Sequence, residues 1–133
     1  MTIIILTLTF CVYSLFEGYR EALYYYFRNK YVVQKDLHEH LLFTFQRIMM
    51  LLCLFCSMGL YVLWLPFLFT FLHDGAYYTQ RNRIDGSYPE TFFAQSTTST
   101  AVWDKLKLGT PVLRIILFFI GILGLTITYK YGK

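Results

Sequence analysis

From Ile48 to Leu72 the chain runs for 25 residues without a charged side chain. A soluble fold of this size has no interior deep enough for such a run. As a helix it would be about 37 Å long at 1.5 Å per residue, enough to cross a bilayer with tilt. Also missing are a glycine-rich phosphate loop, a nucleophile elbow and an HExxH motif. Their absence removes the sequence signatures of nucleotide binding, serine hydrolysis and zinc proteolysis. Cysteine is limited to Cys11, Cys53 and Cys56, each inside an apolar run. Cys53-x-x-Cys56 has no second pair and no βαβ setting, so all three read as small buried hydrophobes and leave the redox compartment undetermined. The N-terminal run has neither a basic n-region nor a small-residue cleavage motif, which argues against a cleaved signal peptide.

What is present is apolar and aromatic. Of 133 residues 56% are hydrophobic and 20% aromatic, with a mean hydropathy of +0.46. A soluble domain of this length would leave much of that surface in water, so lipid is the solvent the composition requires. Phe, Tyr and Trp in such numbers also suit the two membrane interfaces. The formal net charge is +4. Its basic residues flank apolar segments and form no stripe, so anionic lipid headgroups are the expected counter-charge and nucleic acid is not.

The pattern predicts an all-α membrane protein in a single domain, with three transmembrane helices at about 2–27, 37–72 and 111–129. The first combines an apolar stretch, residues 3–16, with Glu17, Arg20, Glu21 and the interfacial run Tyr24-Tyr25-Tyr26. Asp36 and Glu39 read as N-cap and N3 acid of the second, which Pro66 should kink. Thr110-Pro111 opens the third as a hydroxyl N-cap followed by proline at N1. Between the second and third lies 73–109, rich in Gly, Asn, Ser, Thr and Tyr. It is expected to fold as an aromatic-rich extramembrane cap whose Tyr77, Tyr78, Arg81, Arg83, Tyr88 and Trp103 offer a partner surface. Gly121 and Gly124 form a notch for close helix contact. The cation distribution places the N-terminus outside and the C-terminus inside, with the two long connections at opposite surfaces.

Two constellations could carry chemistry. Glu17 and Glu21 share a face of the first helix near His38, His40 and Arg47, a mixture of carboxylate and imidazole that suits iron or zinc. The plainer alternative pairs Glu17, Arg20, Glu21, Arg47 and His40 with one another at headgroup level, and Glu17 is expected within reach of Arg20, Arg47 or His40. His73 with Asp74 could serve as a general base or ligand, or simply end the helix. On a straight second helix His40 and His73 would stand about 50 Å apart and could share nothing; only a broken helix would unite them.

His40-Leu-Leu-Phe43-Thr44-Phe45-Gln46-Arg47, with the segments from His73 to Asn82 and from Ser96 to Ala101, resembles small multi-span membrane proteins of bacteriophages that infect Bacteroidetes. The resemblance covers about half the chain and implies a virion or host-envelope membrane, without assigning active residues. The leading expectation is a non-enzymatic protein that organises an assembly with protein partners or with copies of itself. The rivals are a membrane-embedded metal-dependent or lipid-modifying enzyme, using Glu17, Glu21 and His40 or His73 and Asp74, and an accessory subunit of a larger membrane complex.

Overall fold

The computed structural model describes residues 1–31, 38–86 and 110–131, with side chains described except at 29–31 and 38–40. Among the described residues all regular structure is helical: α1 Thr2–Tyr31, α2 His38–Met58, a 3-10 segment Gly59–Trp64, α3 Leu65–Ile84 and α4 Pro111–Tyr131. Three helical stretches are long and apolar enough to cross a membrane, Thr2–Arg28, Leu41–Ile84 and Pro111–Tyr131.

The middle stretch doubles back. Arg47 Nη2 lies 3.0 Å from His73 Nε2, although the two residues are 26 apart in sequence. On a straight helix they would be separated by about 39 Å. The reversal occurs at Gly59, whose φ of 56° lies in the left-handed region. Only glycine adopts that conformation without a Cβ penalty, and it ends α2. Pro66 follows in the first turn of α3, where its missing N–H has no intrahelical acceptor to lose. The expected single helix with a kink at Pro66 is thus a helical hairpin, with the proline starting its second arm.

Four arms result. Phe10 packs on Phe69 and Tyr25 on Tyr77, so α1 runs parallel to α3. Tyr13 meets Gln46 and Tyr24 meets Phe43, which makes α2 antiparallel to α1. Arg114 pairs with Asp74, while Gly124 abuts Trp64, making α4 antiparallel to α3. Ile3, Leu6 and Leu125 join Met58, Val62 and Leu65 in one apolar cluster. Both ends of the described chain therefore lie at the hairpin apex, and the two connections leave from the other, polar end. Termini and connections thus lie at opposite ends of the bundle, whereas the expected unbroken middle helix would have put the two termini, and likewise the two connections, at different ends.

The α1–α3 contact is the tightest. Ser14, Gly18 and Ala22, four residues apart along one face of α1, are all buried, and small residues in that register let backbones approach closely. A Cβ built on Gly18 would fall 2.2 Å from the His73 carbonyl oxygen. The Ser14 hydroxyl donates to the Phe10 carbonyl at 2.8 Å, which satisfies it inside the interface. On α4, Gly121 faces Leu68 and Gly124 faces the Trp64 ring. These are the two glycines expected to form a contact notch.

Facing outward is an apolar belt. Ile4 and Phe27 of α1, Leu41 and Phe55 of α2, and Val112 and Ile127 of α4 are exposed. Along each helix such positions extend over about 20–35 Å, comparable to a hydrocarbon core of about 30 Å. At the apex end, Trp64 Nε1 donates to Thr128 Oγ1 at 2.9 Å and the Tyr61 hydroxyl to the Thr128 carbonyl at 3.2 Å. Amphipathic rings with a polar handle suit a membrane interface there.

α3 continues through Ile84, twelve residues beyond the expected helix end at Leu72. Its last three turns are polar in composition, yet Tyr78, Gln80 and Arg81 turn into the bundle and are buried. The first part of the expected cap is therefore helix. Residues 87–109, with Tyr88 and Trp103, lie outside the described residues.

Candidate functional site

Inside the apolar belt the four arms meet at a layer of ionisable side chains. Glu17 and Glu21 project from α1 one turn apart, Arg47 comes from α2, His73 and Asp74 from α3 and Arg114 from α4. Glu17 is 3% exposed, Glu21 7%, His73 7% and Arg114 3%. Charged groups at such depth are costly and are held only where they pair.

The pairing is continuous. Arg20 Nη2 donates to Glu17 Oε1 at 2.7 Å, and Arg47 Nη2 lies 3.8 Å from the same oxygen. Arg47 Nη2 also donates to Glu21 Oε2 at 2.5 Å. The His73 ring stands between two carboxylates, with Nε2 2.7 Å from Glu21 Oε2 and Nδ1 2.9 Å from Asp74 Oδ1. Asp74 Oδ2 in turn lies 3.2 Å from Arg114 Nε, close enough for an ion pair but without the alignment of a hydrogen bond at that nitrogen. Gln46 accepts from Arg20 at 3.3 Å and donates to the Tyr13 hydroxyl at 3.5 Å, the long end of the range, extending the layer to its rim.

Aromatic faces hold the layer in place. Phe69 stacks on His73 with ring centroids 4.7 Å apart, and His73 stacks on Tyr77 at 6.5 Å. The spacing Phe69-x-x-x-His73-x-x-x-Tyr77 makes one ladder along a face of α3. The Arg47 guanidinium sits 5.0 Å from the Phe69 centroid and that of Arg114 5.3 Å from Tyr78. Both are within the range of cation–π attraction.

The two constellations read separately from the sequence are one. Glu17, Arg20, Glu21 and Arg47 join His73 and Asp74, because the hairpin returns α3 to the level of Arg47. His40 belongs to α2 on the polar side of Arg47, but its side chain lies outside the described residues. The 50 Å argued between His40 and His73 does not apply to a folded-back stretch. No group of three or more His, Cys, Asp or Glu side chains is arranged to hold a metal ion among the described residues.

Of the expected partner surface, Tyr78 and Arg81 are buried, while Arg83 is exposed and Tyr77 half-buried. Arg81 packs over the Tyr26 ring and pairs with Asp85 at 3.7 Å. Arg114, Gln46 and Tyr13 join the layer without belonging to either constellation read from the sequence. Arg114 carried a signal: a guanidinium one turn into an otherwise apolar helix calls for a buried acid as readily as for snorkelling.

Comparison with models of known protein families, with curated proteins and with solved structures finds no match to this chain.

Proposed function

We propose that this chain is a non-enzymatic integral membrane protein that serves as a scaffold in a membrane assembly, joining a protein partner or further copies of itself at its polar end. The observation that carries this reading is the use of the buried charges. Glu17, Glu21 and Asp74 are each engaged by a guanidinium or the imidazole of a neighbouring residue or helix. Groups committed in this way fix helix register, as polar pairs between packed helices do.

Orientation follows from the folded-back topology. In or beside the two connections lie Arg28, Lys30, Lys35, Arg81, Arg83, Lys105 and Lys107, seven cations, against Lys130 and Lys133, two, at the apex end. Seven against two supports a polar end inside and both termini outside, by the positive-inside bias. The phage resemblance adds a setting to this proposal, a virion membrane or the envelope of an infected cell.

Native mass spectrometry of the full chain released from nanodiscs, with metal analysis of the same sample, tests the role. The expected result is a stoichiometric complex heavier than the 15.8 kDa monomer and free of iron and zinc. A monomer carrying one equivalent of either metal would overturn the scaffold reading in favour of a metal-dependent enzyme.

A further inference from the structure

We propose that His73 is a proton-binding site at which a single bound proton ties α1 and α3 together through Glu21 and decides which group Arg47 of α2 engages. The property goes beyond the scaffold role and does not depend on it.

Hydrogen-bond capacity separates the two protonation states of the ring. A neutral imidazole offers one N–H and one lone pair, whereas an imidazolium offers two N–H donors. Nε2 of His73 faces Glu21 Oε2 at 2.7 Å and Nδ1 faces Asp74 Oδ1 at 2.9 Å. Against two ionised carboxylates only the doubly protonated ring donates at both ends. The neutral ring leaves a lone pair against a carboxylate oxygen at one of them.

A second arrangement is already within reach. Arg47 Nη2 is in contact with both Glu21 Oε2, at 2.5 Å, and His73 Nε2, at 3.0 Å. With the proton bound, Arg47 and His73 both donate to Glu21. Once Nε2 gives up its proton, it becomes an acceptor for the same Arg47 N–H, and the contact between Glu21 and His73 turns repulsive. Arg47 then moves toward the ring and the α1 carboxylate separates from α3. The step balances as the loss of one proton from Nε2 to water, with no other bond made or broken.

The surrounding charges suit this exchange. From α1 the ring faces Glu21, with Glu17 beyond it; from α2, Arg47; from α3, Asp74 and the Tyr77 ring; and from α4, Arg114 acts through Asp74. The carboxylates Glu17, Glu21 and Asp74 number three and the guanidiniums Arg20, Arg47 and Arg114 also three, so they cancel, 3 − 3 = 0. Among these described groups a proton on His73 then adds one positive charge, and its release removes that charge.

Solid-state NMR of the full chain in liposomes tests the site, with ¹⁵N-labelled histidine and arginine and His38→Gln and His40→Gln leaving His73 as the only imidazole. Spectra are compared at about pH 5 and about pH 9, which bracket ordinary histidine titration. The expected result is two N–H resonances from the ring at the lower pH and one at the higher. The Arg47 guanidinium signal should shift in step, and its shift should be at least halved in a Glu21→Gln variant. Ring nitrogens that are unchanged between the two pH values would overturn the proposal. So would a ring that titrates while the Arg47 signal stays in place.

Discussion

Replacing Arg47 by leucine is expected to destabilise the folded bundle by about 3–5 kcal/mol, the range for removing one partner of a buried ion pair. Arg47 is the cation that reaches Glu21, and it also lies within 3.8 Å of Glu17. Its guanidinium covers Phe69 as well. Without it Glu21 keeps, among the described residues, only His73 while remaining inside the apolar belt, where an ionised carboxylate without compensation is costly. Arg47 is also the principal polar tie between the two arms of the hairpin, so α2 should lose its register on α1 and α3. Unfolding in mixed micelles, followed by the near-ultraviolet signal of the aromatic cluster, measures the loss. Adding Glu21→Gln to the leucine variant should recover a substantial part of it by removing the stranded charge. A loss of under about 0.5 kcal/mol from the single change would mean that the pair contributes no more than a surface salt bridge.

The second large effect is expected at Gly18. A methyl group there would meet the backbone carbonyl of His73 at 2.2 Å, and a carbonyl within a helix cannot rotate away. Gly18→Ala should therefore force α1 and α3 apart, at a cost of about 3 kcal/mol, the upper end of the usual range for overpacking. The contrast is Gly121→Ala, whose added methyl meets Leu68 Cδ2 at 2.9 Å. That side chain can turn aside, so the cost should stay near 1 kcal/mol. Thermal unfolding of both variants in one detergent checks the order, and equal stability of the two would contradict the close α1–α3 crossing. A separation at Gly18 also draws Glu21 away from His73, because the two contacts lie one turn apart on α1.

Local signals gave the helix beginnings and the solvent. Thr110-Pro111 reads as a helix start, and the structure places Pro111 at the first position of α4 with Thr110 Oγ1 accepting from the Leu113 N–H at 3.3 Å. The acid–base cluster on α1 is visible from spacing alone, since Glu17 and Glu21 fall on one helix face. What hydropathy cannot express is direction. Residues 48–72 are equally apolar whether the chain continues or turns back, and the turn is made through the short segment Gly59–Trp64, which the positive φ of Gly59 opens. Proline was the more conspicuous signal, but Pro66 marks the start of the second arm and not a bend in a single one. The same limitation hid the site. Arg47 and His73 appear remote in sequence, so two halves of one layer read as two weak constellations. Polar composition also misplaced the end of α3, because Tyr78, Gln80 and Arg81 look like loop residues until α1 is there to bury them. The Ser14, Gly18, Ala22 stripe was legible at four-residue spacing, but it is easily lost in a segment assessed by its hydrophobicity.

The charged layer forms only if the middle apolar stretch folds back, since that brings the two connections to one side and Arg47 to His73. The direct measurement is cysteine accessibility in intact cells. Gln34→Cys and Gln95→Cys are introduced one at a time on a background with Cys11, Cys53 and Cys56 changed to serine, and each is probed with a membrane-impermeant maleimide before and after permeabilisation. The folded-back arrangement predicts that positions 34 and 95 behave alike and opposite to a cysteine appended at the C-terminus. Labelling of 34 and 95 from opposite sides of the membrane would show a straight middle helix and contradict the hairpin.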